Sequence, residues 1–153
     1  MKPLPHHYSV SGRLEGHPEG PSEGAATVRL HAPGLPELES APPAEFGGPG
    51  DRWSPETLLL GAVVDCFLLT FRAVARASKF EWTRLRADAE GVLDRAEGVT
   101  RFTAIELRAE LEAPAGADAA TGERLLAKAE KGCLISNSLR CPVHLEASVR
   151  AGP

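Results

Sequence analysis

The chain has 153 residues, 42% of them hydrophobic and 25% charged, enough for one domain spanning 1–153 or for half of an intertwined dimer, and too apolar for a disordered tail. Seventeen basic residues against 21 acidic ones leave a net charge of −4 with no Lys/Arg cluster, which argues against a nucleic-acid partner. The start, MKPLPHHYSV, has no signal-type apolar stretch, and the apolar run from Leu58 to Val64 is interrupted at Asp65 short of a membrane span, so no membrane partner and a cytoplasmic location are expected.

From His6 to Leu14, and again from Ala25 to His31, apolar residues recur at strand spacing, and the EGHPEGPSEG segment between them reads as a turn or loop, so the two form a hairpin. The stretch APGLPELESAPPAEFGGPGDRW holds five of the 13 prolines and reads as a long loop, excluding a regular helix or a central strand. Ser54-Pro55-Glu56 then starts a helix, with Ser54 as N-cap, Pro55 at the first helical position and Glu56 favoured by the dipole. The helix is expected to run to about Ser78 and to be mostly buried, because it is apolar nearly all round except at Asp65, Arg72 and Arg76.

Thr83 to Leu93 and Thr100 to Glu112 alternate apolar and charged residues around the Glu97-Gly98 turn, predicting a second hairpin with one wet face. A second helix begins near Ala119 and carries Leu125, Leu126, Ala129 and Cys133 on one face, and CPVHLEASVR reads as a last strand. The order ββ-α-ββ-α-β is an α+β pattern.

Cys66, Cys133 and Cys141 are too few to suggest a disulfide framework, which leaves packing, catalysis or metal binding. Cys66 shares a helical face with Leu59, Ala62, Val63, Leu69 and Thr70, and either helix cysteine taken alone reads as a small core hydrophobe. Each, however, lies on the apolar stripe of one of the two helices, so the two thiols would be able to meet in a common core. Cys141 and His144 have a C-x-x-H spacing that invites a zinc reading, but no second close ligand pair accompanies it and a strand would point the two to opposite faces. His6, His7, His17 and His31 fit neither a triad nor a metal spacing and read as polar surface. G-x-S-x-G, a Walker loop and G-x-G-x-x-G are absent.

Two motifs carry a resemblance. EFGGPGDRWSPETLLLGAVVDCFLLTFRAVA contains S-P-E-x-L-L with its glutamate ten residues before a mid-helix cysteine, and the cysteine of KAEKGCLISNSLR lies 67 residues after that one. The chain thereby resembles the OsmC/Ohr family of osmotically inducible protein C and the organic hydroperoxide resistance proteins. The resemblance implies an intertwined α+β homodimer with the two cysteine-bearing helices buried at its centre. It also implies thiol-dependent reduction of organic hydroperoxides to alcohols, with no cofactor or metal and with an external dithiol, of lipoyl type, as reductant. On the matching positions Cys66 would be the peroxidatic cysteine, Cys133 the resolving one that closes a disulfide with it, and Glu56 the acid that positions an arginine. Arg13 in SGRLEG is the nearest match for that arginine, with Arg52 as a competitor, while Cys141 lies outside the pair. The competing class is a non-enzymatic dimer that binds a small apolar ligand, with both cysteines merely packed.

Burial beside Asp65 is expected to raise the pKa of Cys66, so a peroxidase would need a cation near the sulfur to favour the thiolate. Glu56 and Cys66 are separated by ten residues of one helix, about 15 Å of rise and about 80° out of phase, so they cannot meet at one peroxide within a chain. If Glu56 serves a cysteine, it is expected to come from the partner chain.

Overall fold

Five prolines between Ala32 and Trp53 do not keep that stretch out of a sheet. The structure, a computed structural model, describes residues 3–15 and 26–152, and its contacts divide it into two compact units, Met1–Leu58 and Leu59–Pro153. In the first unit, β1 (Ser11–Glu15), β2 (Thr27–His31) and β3 (Leu38–Ser40) form an antiparallel sheet in the order β1-β2-β3. The expected hairpin of β1 and β2 is present, but β1 is shorter than expected, because His6 to Val10 form no strand. The expected turn between them falls mostly on residues 16–25, and His17 with it, outside the described residues.

The presumed long loop contains β3 and a 3-10 turn at Ala44–Phe46. β3 is a three-residue edge strand and lies between the prolines, so no proline has to supply a ladder donor there. Just after it, the Ala41 N–H donates to the Trp53 carbonyl at 2.9 Å, which returns the chain to the sheet immediately before the next helix.

That helix, α1 (Pro55–Ala77), begins where Ser54-Pro55 predicts. The Thr57 N–H donates to Ser54 Oγ at 3.2 Å while the Ser54 N–H donates to Thr57 Oγ1 at 2.9 Å, a reciprocal cap on a serine that is itself buried. The helix ends where Lys79 takes a left-handed φ of 53° and the Phe80 N–H reaches back to the Ala75 carbonyl at 3.0 Å. Within one chain a single face of it is buried. Val63, Phe67, Phe71 and Ala75 are buried, whereas Leu69 is 55% exposed on the same side as Asp65, Arg72 and Arg76. With a mean hydropathy of 2.0 over its best window, α1 is long and apolar enough to cross a membrane by length and composition, Asp65 notwithstanding. Its innermost face nevertheless packs into a protein core.

In the second unit, β4 (Arg84–Ala96) and β5 (Val99–Ala113) form a long antiparallel hairpin, each strand exceeding the predicted span. Glu97 and Gly98 both have positive φ, at 53° and 80°, the backbone a two-residue turn needs to match strand twist. β5 shows a two-residue alternation: Ile105, Leu107, Ala109, Leu111 and Ala113 are buried, while Arg108, Glu110 and Glu112 face outward. On the wet face Arg108 pairs with Glu90 and Glu146, both at 3.5 Å, exposed pairs worth at most about 1 kcal/mol.

α2 (Ala119–Lys131) then crosses over, and β6 (Val143–Ala151) joins β5 in parallel, giving the order β4-β5-β6. Asp118 precedes α2 at the N-cap position and accepts the hydroxyl of Thr121. Phe67, Phe71, Leu107, Leu111, Leu126 and Ala129 form the heart of the core. Gly91 permits the close packing beside it: a Cβ there would stand 2.6 Å from the Phe102 ring and 2.9 Å from Leu60 Cδ2. The class is α+β, as expected. One feature of the expected order is corrected: Cys133 is not on the second helix, because α2 stops at Lys131 and Gly132 caps it, so only α1 carries a cysteine.

Candidate functional site

Cys66 lies in the middle of α1, half-buried, and Cys133 is fully buried in the turn after α2. The fold brings the two thiols close enough that each alters the other's ionisation. The turn that holds Cys133 is tied down locally. The Asn137 N–H donates to the Cys133 carbonyl at 3.0 Å, Asn137 Nδ2 to the Lys131 carbonyl at 3.0 Å, and the Ser138 hydroxyl to the Leu134 carbonyl at 2.8 Å.

The electrostatics differ from expectation. Burial, the largest single influence, pushes the Cys66 thiol up, as anticipated. The Ile135 backbone N–H, the Cys133 thiol, the Leu134 backbone N–H and the Thr70 hydroxyl together outweigh it, and the sulfur ends below the ordinary thiol value with no arginine among its partners. Within one chain these donors already favour the thiolate, and an arginine brought by a partner chain would act in the same direction. Cys133 moves the other way. Its burial raises it, and the Ser136 hydroxyl and N–H, the latter 3.5 Å from Cys133 Sγ, do not compensate.

The donors to Cys66 were missed for a physical reason. Backbone N–H groups of Leu134 and Ile135 leave no residue-type signature. Thr70, by contrast, was visible as the residue one helical turn after Cys66 on the same face.

In the first unit, Glu56 occupies the first turn of α1, and its Oε2 is enclosed without a hydrogen-bond partner. It borders a pocket of about 320 Å³ whose other walls include Leu14, Val28, Ala41, Phe46 and Pro55. Neither candidate arginine is bonded to it. Arg13 Nη2 lies 3.3 Å from Glu37 Oε2, and Glu37 Oε1 in turn receives Arg29 Nη1 at 3.2 Å. Arg52 donates from Nε to Asp51 Oδ1 at 2.9 Å and from Nη1 to Thr27 Oγ1 at 3.0 Å, and the hydrogen bond from Arg52 holds the Asp51 carboxyl below the usual range.

Cys141 precedes β6 rather than lying in it, so the opposite-face argument against a Cys141–His144 site does not apply. Even so, among the described residues no three of His, Cys, Asp and Glu gather as they would to hold a metal ion. His6, His7 and His31 are exposed.

Comparison with known proteins agrees with this arrangement. The model of the OsmC-like protein family matches residues 48–148, a span that includes both Cys66 and Cys133. The uncharacterized protein YmaD of Bacillus subtilis is 34% identical over 115 residues, covering 72% of this chain and 77% of that protein. Peroxiredoxin OsmC of Escherichia coli is 28% identical over 98 residues, covering 64% of this chain and 68% of its own. Among solved structures, an organic hydroperoxide resistance protein OsmC from Legionella pneumophila superposes with a TM-score of 0.70 at 27% identity, covering 95% of this chain and 98% of that one. A thiol pair joining the middle of α1 to the turn after α2 thus sits inside a shared fold, and the chain belongs to the OsmC-like protein family.

Proposed function

We propose that the protein is a cytoplasmic, thiol-dependent peroxidase that reduces organic hydroperoxides to alcohols. The observation that carries this reading is that the Cys66 and Cys133 thiols lie close enough to alter one another's ionisation, with one lowered and the other raised. It is supported by similarity to a peroxiredoxin and to an organic hydroperoxide resistance protein.

In this reaction the Cys66 thiolate attacks the terminal peroxide oxygen. An S–O bond forms, the O–O bond breaks, and the departing alkoxide takes a proton to become the alcohol. The Cys66 sulfenic acid then condenses with the Cys133 thiol, losing water and forming a disulfide before further oxidation proceeds. An external dithiol of lipoyl type returns both thiols and is itself oxidised.

Glu56 and Arg13 act on the leaving oxygen. The carboxylate holds a guanidinium, and the guanidinium stabilises the developing charge. By the helix geometry given above, Glu56 serves the cysteine of the partner chain in a homodimer, and Arg13 completes the site from either chain. The apolar pocket beside Glu56 favours an alkyl-bearing hydroperoxide over hydrogen peroxide.

Titrating free thiols before and after one equivalent of an organic hydroperoxide tests the reading. Two thiols per chain are expected to disappear, with mass spectrometry finding one Cys66–Cys133 link. Unchanged thiols would favour an apolar-ligand binder with packed cysteines.

A further inference from the structure

Among the described residues, two enclosed side-chain oxygens have no hydrogen-bond partner, Glu56 Oε2 and Ser136 Oγ. The proposed reaction gives the first a guanidinium and leaves the second unexplained. An unmatched buried hydroxyl destabilises the fold that carries it, so its place beside a reacting thiol calls for a cause.

Ser136 stands in the turn after α2, three residues beyond Cys133, and its own N–H donates to Cys133 Sγ at 3.5 Å. Cys133 is fully buried within one chain, so the surroundings of its sulfur are complete without a partner. The Ser136 hydroxyl is near enough to favour ionisation of that thiol, yet its Oγ makes no hydrogen bond.

The turn keeps its shape without this hydroxyl. The Asn137 N–H donates to the Cys133 carbonyl at 3.0 Å, Asn137 Nδ2 to the Lys131 carbonyl at 3.0 Å, Ser138 Oγ to the Leu134 carbonyl at 2.8 Å and the Leu139 N–H to the Ser136 carbonyl at 3.1 Å. Two of the three side chains in Ser136-Asn137-Ser138 brace the turn, and the third does not.

We propose that Ser136 is a catalytic residue of disulfide closure: its N–H and its enclosed hydroxyl form a two-donor cradle for the thiolate that Cys133 becomes as it attacks the Cys66 sulfenic acid. This deepens the peroxidase reading and rests on it for its role, but closure can be measured without any peroxide.

A thiol sulfur is a weak acceptor and a thiolate a strong one, so the hydroxyl that lacks a partner in the resting protein gains one as charge develops on Cys133. In that step the S–S bond forms and the S–O bond of Cys66 breaks, and the departing hydroxide takes the Cys133 proton and leaves as water. Donors already in place where the charge appears lower the barrier without reorganisation. They are needed here, because burial holds the resting Cys133 thiol up and Cys66, the titratable group that acts on it from α1, raises it further.

The test uses the Cys141→Ser protein and one equivalent of methyl methanethiosulfonate, which converts Cys66 to its methyl disulfide. Cys133 then displaces methanethiol, and intact mass spectrometry follows the loss. Ser136→Ala is expected to take up the methylthio group at the starting rate and to close about tenfold to a hundredfold more slowly at pH 7. Its melting temperature is expected to hold or rise, whereas Asn137→Ala, which frees the Lys131 carbonyl at the end of α2, is expected to melt lower. With cumene hydroperoxide, Ser136→Ala is expected to oxidise Cys66 at the starting rate and to accumulate a sulfenic acid that dimedone traps.

Closure at the starting rate in Ser136→Ala overturns the cradle. So does a Ser136→Ala chain that fails to fold or melts as low as Asn137→Ala, since its hydroxyl would then already have a structural partner. If closure slows after the thiosulfonate in a protein that no hydroperoxide oxidises, the cradle stands and the peroxidase reading falls. If hydroperoxide is reduced through the disulfide and Ser136→Ala closes as fast as the starting protein, the peroxidase reading survives alone.

Discussion

The middle of α1 and the turn after α2 each bury a cysteine, and burial pushes both sulfurs the same way, yet they end on opposite sides of the ordinary thiol value. The difference lies in the number and kind of donors. Cys66 collects two backbone N–H groups, a hydroxyl and the second thiol; Cys133 has only Ser136 to set against its desolvation, and the neighbouring Cys66 pushes it further up. The general lesson is that depth alone does not make a cysteine inert. A half-buried sulfur on a helix face, where a neighbouring turn can aim donors at it, is the one prepared to ionise, and a fully buried one is held as a protonated reserve.

The strongest way to break that comparison is to exchange the roles. Cys66→Ser is expected to abolish peroxide turnover, whereas Cys133→Ser is expected to react once and then accumulate sulfenic or sulfinic acid on Cys66, visible in the intact mass. A Cys133→Ser variant that protects Cys66 from oxidation, or a starting protein that forms no disulfide, would show that the two thiols do not divide the work.

A smaller effect is expected at Glu56. Glu56→Ala is expected to lower activity about tenfold to a hundredfold, roughly 1.4–2.7 kcal/mol of barrier. Mixing inactive Cys66→Ser chains with Glu56→Ala chains is expected to yield heterodimers in which one intact cysteine faces a wild-type glutamate and works. Light scattering that finds a stable monomer, or heterodimers no more active than their parents, would confine Glu56 to its own chain.

The third cysteine provides the smallest effect and the sharpest control. Cys141 has neither of the other two as a partner, and Cys141→Ala is expected to keep activity within about twofold, less than about 0.5 kcal/mol of barrier. A large loss, or stoichiometric zinc in the purified protein, would give Cys141 a function beside His144.

Much of this molecule was legible in its residues where a local signal and a tertiary demand coincide. Ser54-Pro55 marks the start of α1, the second helix begins at Ala119 as expected, and Glu97-Gly98 is the turn between β4 and β5. β3 was hidden because a three-residue edge strand needs no periodicity and can sit between prolines. The parallel pairing of β6 with β5 has no signature in either strand; it follows from the crossover through α2. At the site, the two cysteines and their meeting were readable, whereas the sign of the Cys66 shift was not, because it depends on backbone donors 68 and 69 positions further along the chain. Arg13 and Arg52 are each engaged by an acid near them in the first unit, Glu37 and Asp51, which residue type alone does not reveal.

The turn after α2 has a consequence for synthesis. Cys66 precedes its donors by most of the second unit, and the turn that aims them is followed by β6, which must cross over α2 and pair with β5. Until that non-local pairing forms, Cys66 is an ordinary thiol, protonated at neutral pH and slow toward oxidants. Folding and ionisation are thereby linked. The lowered Cys66 adds stability that is fully present above the ordinary thiol value and fades as pH falls through its own lowered value, while the raised Cys133 adds stability present below the ordinary value and lost as pH rises through its raised one. The lowered state of Cys66 thus belongs to the completed second unit and not to the helix that carries it.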